Sequence, residues 1–460
     1  MPPTNNPDDM KRLLLLLAAL LPLAFSCTPR QKAAEYPVFW TWADYRGEAR
    51  FDSLCTWMNQ AGVEGVILNA RDADAYREAV PIAQKHGIRL FAWFITMSRA
   101  EVAAEHPEWM SVNRLGRSLA DTTAYVDYYK FMCPALPEVR EYLVGKTREL
   151  CEVEGLEGIA IDYHRFVDVV LPTTLWPKYH VVQDREYPEW DFGYHPAMIE
   201  KFKLLHGYDP REEDDPTSDL VWRQFRCDQI TEVANLIADE VHAHGKKMSA
   251  SPFPTPKMSA RMVRQDWGQW DMDIVFPMVY TDFYTYDPSF AYDCCVENSR
   301  DAGGKMVLYC GLGVNFAGRP REAVVPELIK NCEAAFRGGA KGICLFTVDG
   351  LRTPEMRAEF KAYTDSIKAV CAAAGGVMPK VELPAAADPD PFSHPGLMKL
   401  VEQKIEALNG APVELGDYVL TDEFNVTRDF TVGDKLSGAE FVVTFWLYGD
   451  MISGWDVRKK

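Results

Sequence analysis

Short apolar runs alternate with longer segments of helical periodicity from about residue 36 to residue 375. The runs have the length of buried strands, and the longer segments repeat apolar residues every three to four positions. Several helical segments end in a glycine just before the next run, as at Gly62 and Gly245, which is a common helix stop signal. The predicted strands are Val38–Trp42, Gly65–Asn69, Leu90–Ile95, Gly158–Asp162, Lys247–Ser251, Ile274–Val279, Met306–Gly311 and Gly342–Thr347, and the helical patterns include Ala73–His86, Pro137–Val153, Leu220–His244, Glu322–Arg337 and Pro354–Ala373.

Eight strand–helix repeats predict an α/β fold, a closed (β/α)8 TIM barrel. A doubly wound open sheet is the alternative, but no GxGxxG turn follows the first strand, which disfavours it. The connections after the third and fourth strands, residues 97–136 and 163–219, are long and rich in aromatic residues. Long connections on this side of a barrel build the mouth of a pocket.

The C-terminal part of the chain has a different pattern. Residues 376–396 are rich in proline and alanine and predict a linker after a barrel domain over residues 36–375. An amphipathic helix over Pro395–Leu408 and a strand-like run over Phe441–Leu447 follow. We therefore predict a small α+β or β domain over residues 397–460, whose role the sequence does not indicate.

The N-terminus has the pattern of a targeting segment. Met10-Lys11-Arg12 precedes the apolar run Leu13–Phe25, and Cys27 follows within two residues. A charged start, an apolar centre of this length and small residues at the break are typical of a signal peptide rather than a membrane span. We predict a lipoprotein signal over residues 1–27 with lipidation at Cys27, and ordinary secretion is the alternative. The expected location is the cell envelope, with a lipid anchor in the outer membrane and the protein facing the periplasm.

Composition and charge narrow the classes of partner. The net charge is -18 and no basic patch offsets it, which argues against nucleic acid. Glycans and peptides remain possible partners, and the membrane is expected only through the lipid anchor. The ten cysteines beyond Cys27 form no CxxC pair, so zinc-ribbon and redox motifs are absent. The sequence predicts no cofactor.

A carboxylate closes the fourth predicted strand. The run Gly-Ile-Ala-Ile ends in Asp162, which is followed by Tyr163, His164 and Arg165. A buried parallel strand that delivers a charged group to its C-terminal end places that group where barrel enzymes bind substrates. Asp162 is therefore predicted to act as a nucleophile, general acid or charge stabiliser. The alternatives are a structural ion pair with Arg165 or Arg140 and a helix N-cap.

A second carboxylate is needed if the chemistry is glycoside hydrolysis. The two carboxyl groups lie about 5–5.5 Å apart in retaining enzymes and about 6.5–9.5 Å apart in inverting ones. Asp282 follows the sixth strand and Asp349 follows the eighth. Asp282 ranks first because an apolar enclosure raises a carboxyl pKa towards that of a general acid. Its aromatic neighbours are Tyr280, Phe283, Tyr284 and Tyr286. For each acid, a solvated loop position or a helix cap is the alternative.

Aromatic residues alternate along the strands or end them. Barrel interiors usually prefer branched aliphatic side chains, whereas aromatic rings suit the apolar faces of sugars. We therefore predict a sugar-binding cluster, with core packing as the alternative, and add the two polar residues that follow Tyr163. The predicted substrate-binding residues are Trp40, Trp42, Trp93, Tyr163, His164, Arg165, Tyr280 and Tyr309.

Metal-binding patterns are weak, and no metal site is predicted. His242-Ala-His244 falls on the last turn of a predicted helix, away from the mouth, and a structural role is favoured. His164 could bind a metal beside Asp162, although a substrate hydrogen bond or a fixed structural tautomer is favoured. The chain contains neither HExxH nor the GxSxG elbow of acyl hydrolases.

An ordered series of motifs resembles the bacterial glycosyl-hydrolase-like lipoproteins called family-10-like. The match spans about residues 36–350. The motifs that carry it are His106-Pro-Glu-Trp109, Asn113-Arg-Leu-Gly116, Pro137-Glu-Val-Arg-Glu-Tyr142, Glu157-Gly-Ile-Ala-Ile-Asp162-Tyr, Phe192-Gly-Tyr-His-Pro196, Ser249-Ala-Ser-Pro252 and Pro277-Met-Val-Tyr280.

The resemblance implies a TIM barrel and glycan cleavage, with some relatives acting on peptidoglycan strands. Asp162 matches the first of the two acids at the end of the family's fourth strand. Tyr163 stands where the second acid usually is, and His195 replaces an aspartate.

The sequence thus favours a lipid-anchored glycoside hydrolase that cleaves a polysaccharide or a peptidoglycan glycan. Asp162 is expected as nucleophile or stabiliser, and Asp282 or Asp349 as proton donor. A non-catalytic glycan-binding lipoprotein on the same barrel is the first alternative. A metal-dependent hydrolase is the second.

Overall fold

Eight parallel strands close into a barrel in chain order, with β1 paired to both β2 and β8. The computed structural model describes residues 36–181, 183, 185–213, 215–217, 219–281, 283–284, 289–314, 320–384, 418–420, 426–433, 440–448 and 451–459. The strands are β1 (Phe39–Asp44), β2 (Gly65–Asn69), β3 (Arg89–Ile95), β4 (Gly158–Asp162), β5 (Lys247–Ala250), β6 (Ile274–Val275), β7 (Val307–Gly313) and β8 (Gly342–Phe346).

Helices surround the barrel, so the predicted TIM-barrel fold is confirmed and the open sheet is wrong. Helical turns also occupy both long connections, which follow β3 and β4. The helices of the described chain are Glu48–Ala61, Ala73–Lys85, Ala100–Glu105, Pro137–Cys151, Trp176–Tyr179, Pro196–His206, Leu220–Ala243, Pro256–Val263, Phe290–Asp301, Val324–Arg337 and Pro354–Ala373.

The sixth strand is shorter than predicted. Regular pairing ends at Val275 rather than Val279. Pro277 has no N–H to donate, which interrupts a strand ladder. Beyond it the chain keeps a single bridge between Met278 and Gly311, in which the Gly311 N–H donates to the Pro277 carbonyl at 2.8 Å. The chain therefore continues along β7 to the mouth without regular strand pairing.

Large aromatic rings fill the lower interior of the barrel, and glycines on neighbouring strands make room for them. The Trp40 and Phe91 ring centroids lie 4.8 Å apart, and the Phe276 and Tyr309 centroids lie 5.2 Å apart. Gly65 pairs in register with Trp40, and a Cβ atom there would overlap the Trp40 indole. Rings opposite glycines thus replace the usual branched aliphatic layers.

Substitution of Gly65 by alanine is expected to destabilise the barrel by about 2 kcal/mol, because the added methyl group over-packs the Trp40 ring. Gly145→Ala is the matched control. Gly145 lies within the helix Pro137–Cys151 with open space around its Cα, so alanine there is expected to stabilise the protein by about 0.5–1 kcal/mol. Urea unfolding of both variants measures the difference, and equal stability would contradict tight packing at Gly65.

The C-terminal residues include a four-stranded antiparallel sheet in the order β12-β11-β10-β9. Its strands are β9 (Tyr418–Leu420), β10 (Val426–Gly433), β11 (Glu440–Tyr448) and β12 (Met451–Lys459). The predicted strand Phe441–Leu447 lies within β11. The predicted helix Pro395–Leu408 lies outside the described residues, and the domain boundaries stay predictions.

The predicted signal over residues 1–27, with its lipidation site Cys27, also lies outside the described residues. Within the part of the chain that the structure describes, no helix is long and apolar enough to cross a bilayer.

Candidate active site

Asp162 is the last residue of β4 and lies at the C-terminal mouth of the barrel. Both carboxylate oxygens accept a hydrogen bond. Oδ1 accepts from the Tyr163 backbone N–H at 2.6 Å, and Oδ2 accepts from the Trp93 indole N–H at 2.9 Å. The Asp162 backbone carbonyl accepts from Thr96. The carboxyl group is therefore held in one orientation.

The environment of Asp162 favours proton transfer. Burial raises the pKa of the Asp162 carboxyl to about 6, while the hydrogen bonds from Tyr163 and Trp93 and the charge of Arg165 oppose the rise. A carboxyl group with a pKa near 6 can both give and take a proton close to neutral pH. The structural ion pair that the sequence left as an alternative is not formed, because Arg165 pairs with Asp168 and Arg140 pairs with Glu232.

Tyr163 has a left-handed backbone with φ of 50°, which is uncommon for a residue with a bulky side chain. This conformation turns the chain directly after β4 and brings the Tyr163 N–H back onto the Asp162 carboxylate. Strained residues of this kind are concentrated at functional sites. The half-buried Tyr163 ring contacts Tyr129 and Phe131, and its expected contact with substrate stays a prediction.

His164 is fully buried, and its expected contact with substrate is corrected. Nε2 lies 2.9 Å from the Ile230 carbonyl, and Nδ1 lies 2.9 Å from Thr96 Oγ1. The carbonyl requires a proton on Nε2, which leaves Nδ1 as the acceptor. Burial lowers the pKa of His164 to about 4, so the ring is neutral and both nitrogens are occupied. His164 fixes the β4 connection from beneath.

Arg165 is also buried, and its guanidinium is engaged by protein groups rather than open to a sugar. It donates to Asp168 at 2.7 Å and to the Tyr129 hydroxyl at 3.1 Å, and its charge lies 5.0 Å from the Phe253 ring centroid. The expected direct contact with substrate is therefore corrected to a role in ordering the connection. Asp168, a buried acid next to the mouth, was missed because nothing in its local sequence distinguishes it from other loop acids.

Aromatic side chains surround Asp162. Trp93 is half-buried and donates to the carboxylate, and Tyr280 is half-buried with its ring stacked on Phe346 at 5.2 Å. Trp42 lies beneath them, buried, and donates to Ser251 Oγ at 3.0 Å. Burial, with the charge of Asp162 as the next cause, raises the pKa of the Tyr280 hydroxyl. Phe346, 41% exposed, was missed as a mouth residue.

Trp40 and Tyr309 lie deeper than the sequence predicted. Trp40 Nε1 donates to the Pro37 carbonyl at 2.9 Å, and the Tyr309 hydroxyl donates to the same carbonyl at 2.5 Å. Pro37 precedes β1, so these contacts are at the end of the barrel opposite the mouth. Both residues are core residues, and their expected sugar contacts are corrected on that ground.

One of the two predicted partner acids, Asp349, lies in the described part of the chain. Asp349 is exposed in the 3-10 helix Val348–Gly350, directly after β8. Asp282 lies outside the described residues, although its neighbours Phe283 and Tyr284 are described. Tyr284 is buried, and its ring centroid lies 5.5 Å from that of Phe253. The role of either acid as Asp162's partner stays a prediction.

The histidine pair at the end of the helix Leu220–Ala243 is engaged in structural contacts. His242 Nε2 lies 3.0 Å from Asp273 Oδ2, and His244 Nδ1 lies 2.9 Å from the Glu240 carbonyl. Among the described residues, no group of three or more His, Cys, Asp or Glu side chains is arranged to hold a metal ion.

Replacing Trp93 by phenylalanine is expected to raise the pKa of Asp162. The indole N–H stabilises the carboxylate form, so its loss favours the protonated form by about one pH unit. The pH dependence of kcat/KM on a cleaved glycan measures this shift towards higher pH. Trp109→Phe, which removes an indole N–H from a ring stacked on His106 rather than from the Asp162 carboxylate, is the control. A shift to lower pH in Trp93→Phe would contradict the hydrogen bond.

The fold is similar to that of several solved structures of glycoside hydrolases. The glycoside hydrolase domain of PgaB (BpsB) from Bordetella bronchiseptica has a TM-score of 0.51 at 12% identity, over 71% of this chain and 98% of that one. The β-galactosidase from Rahnella sp. R3 has a TM-score of 0.51 at 14% identity, over 75% of this chain and 57% of that one. The β-galactosidase from the psychrophilic Marinomonas ef1 has a TM-score of 0.50 at 13% identity, over 73% and 60%.

These likenesses show a barrel of the kind found in glycoside hydrolases. No family model and no curated protein matches the chain. The resemblance to family-10-like lipoproteins therefore stays a prediction.

Proposed function

We propose that the protein is a glycoside hydrolase whose reaction takes place at the barrel mouth, with Asp162 as its central carboxylate. The observation that carries this proposal is the Asp162 group itself. It is a buried acid with a pKa of about 6, oriented by Trp93 and Tyr163 and bordered by the stacked rings of Tyr280 and Phe346. Rings bind the apolar faces of sugars, and an acid of this pKa can protonate a glycosidic oxygen.

The raised pKa favours Asp162 as the proton donor rather than as the nucleophile expected from the sequence. In this scheme Asp162 gives its proton to the leaving oxygen as the glycosidic bond breaks. In the same step a second carboxylate attacks the anomeric carbon as nucleophile, or takes a proton from the water that attacks it, so that the leaving oxygen is replaced. Asp349 at the rim and Asp282 are the proposed partners. Asp168 is less suited, because its carboxylate is already ion-paired with Arg165.

The substrate is proposed to be a polysaccharide or the glycan of peptidoglycan. Both fit a lipid-anchored protein attached through Cys27 in the cell envelope, facing the periplasm. The barrel needs no cofactor in this scheme, since both proton transfers involve side chains of the chain itself.

One observation favours a second candidate, a glycan-binding lipoprotein without catalysis. Asp162 is followed by Tyr163 instead of a second acid, and the other buried acid next to the mouth, Asp168, is neutralised by Arg165. A mouth with one usable carboxylate could still hold a sugar through its rings. The number of acids that act together with Asp162 therefore separates the two candidates.

Screening residues 28–460 against intact peptidoglycan, peptide-free glycan strands and a panel of polysaccharides tests the proposed function. Mass spectrometry of the products is expected to show new reducing ends from one glycan class, with and without a chelator. Tight binding of a glycan without new ends would favour the binding protein. Cleavage that chelation abolishes would instead favour the metal-dependent hydrolase.

A further inference from the structure

We infer that aromatic rings on the connections after β3 and β4, one exposed and three partly exposed, form an extended glycan-binding surface next to Asp162. We call this surface the aromatic shelf. It comprises Tyr125, Tyr128, Tyr179 and Trp190. The ligand is then a chain of several sugars rather than a single terminal sugar. This inference rests on the proposed function and names the surface that would hold its substrate.

The shelf is continuous with the candidate active site. From Tyr163, next to Asp162, the ring centroids lie 6.2 Å apart to Tyr129, then 5.7 Å from Tyr129 to Tyr125. From Tyr125 they lie 5.3 Å apart to Trp190 and 4.9 Å to Tyr179. Each step is comparable with the length of one sugar unit in an extended glycan. A series of ring contacts therefore links the candidate active site to the partly exposed Trp190 and Tyr179.

The exposure of the shelf indicates a ligand rather than packing alone. Tyr128 is 64% exposed and packs its ring edge-to-face against Tyr129 at 5.1 Å. Tyr125 and Trp190 are half-buried, so each presents ring surface to solvent while the rest is held in place. Aromatic rings with a polar edge, in this partly wet setting, bind ligands that have both apolar faces and hydroxyl groups. Sugars have both.

The shelf is held rigid from beneath, which lowers the entropic cost of binding a ligand. Arg165 lies 5.4 Å from the Tyr129 ring centroid and donates to the Tyr129 hydroxyl. Asn113 ties the two connections together, donating from its side chain to the Glu189 carbonyl at 3.1 Å. Arg114 donates to the Glu186 carbonyl at 2.9 Å.

Further rings follow β6 and end β8 at the mouth. Tyr280 and Phe346 stack on each other, and Phe283, 40% exposed, packs against Tyr284 at 4.8 Å. Aromatic rings after β6 and at the end of β8 thus add to the ring surface at the mouth, which suits a ligand of several sugars. Nucleic acid bases also stack on such rings, but the net charge of -18 opposes a polyphosphate ligand.

The test measures affinity against ligand length. Calorimetry uses the chain with Asp162→Asn, to prevent turnover, and length ladders from disaccharides to decasaccharides of peptide-free peptidoglycan strands, β-1,4-glucans and β-1,4-mannans. We expect affinity for one ladder to rise at least about tenfold with length. Trp190→Ala and Tyr128→Ala are each expected to weaken the longest ligand about three- to tenfold, and short ligands less.

Trp57→Ala is the matched control, because Trp57 is a half-buried tryptophan on the outer helix Glu48–Ala61, stacked on Arg357. It is expected to bind every length as the parent does. Affinity independent of length, or unaffected by either shelf variant, would overturn the inference, and the glycosidase proposal would stand if the wild type still cleaves. Length-dependent binding without cleavage by the wild type would support the shelf and overturn the catalytic proposal. Failure of all ladders to bind would overturn both.

Discussion

Asp162→Asn is expected to lower kcat on the cleaved glycan by at least about a hundredfold, a size typical of a lost general acid. Asparagine keeps the shape of the side chain and can accept the hydrogen bond from either Trp93 or the Tyr163 N–H. It cannot give up a proton at neutral pH. The loss should therefore be confined to the chemical step, with glycan affinity largely retained.

The same assay on Asp349→Asn and Asp282→Asn identifies the partner acid. The partner is expected to show a loss comparable with that of Asp162→Asn, whereas the other acid should lose little activity. Asp168→Asn is a control for charge near the mouth, since it leaves Arg165 without its partner and is expected to affect stability as well. A near-normal kcat in Asp162→Asn would show that Asp162 is not the general acid.

Trp40→Ala is expected to destabilise the barrel by about 3–5 kcal/mol, the cost of emptying a large buried aromatic site. Trp40 is fully buried, packs against Phe91 and Phe276, and donates to the Pro37 carbonyl. Its loss leaves a cavity in the barrel interior and an unpaired carbonyl. Few single changes elsewhere in the chain remove so much packed volume.

Urea unfolding followed by helical circular dichroism measures this loss, because the described C-terminal sheet contributes little to that signal. Trp57→Ala, on the outer helix layer, is expected to cost much less, since its ring is only half-buried. Equal losses in the two variants would contradict the assignment of Trp40 to the barrel core.

The barrel could be predicted because its signal is local. Each strand is a short apolar run, and the glycines before several runs end the preceding helices. The position of Asp162 was also readable, since a carboxylate that ends an apolar run lies at a strand end in any parallel barrel. The predicted strand β6 extends four residues beyond the observed end at Val275, because Pro277 has no N–H to donate and interrupts the strand pairing.

The depth of each side chain could not be predicted. Period-two alternation places Trp40 and Trp42 on the same inward face of β1 but does not say which one reaches the mouth. The depth of each ring depends on its hydrogen-bond partner. The Pro37 carbonyl accepts from the Trp40 indole, and Ser251 Oγ accepts from the Trp42 indole. One of these partners is 209 positions away in the sequence.

The residues after Asp162 illustrate the same limit. His164 and Arg165 were predicted to contact substrate because they follow Asp162 closely in the sequence. In the structure, His164 forms hydrogen bonds with Thr96 and the Ile230 carbonyl. Arg165 donates hydrogen bonds to Asp168 and the Tyr129 hydroxyl. Thr96 and Tyr129 come from the connection after β3 and Ile230 from the helix Leu220–Ala243, so only the folded chain shows that these polar side chains are satisfied within the protein.

The most direct test of Asp162 as the acid of a glycan-cleaving site is a crystal structure. The chain with Asp162→Asn would be crystallised with an oligosaccharide of the glycan that the wild type cleaves. We expect the sugar chain to cross the barrel mouth, with one glycosidic oxygen about 2.6–3.2 Å from the side chain of residue 162. A sugar bound only elsewhere, with the mouth unoccupied, would contradict it.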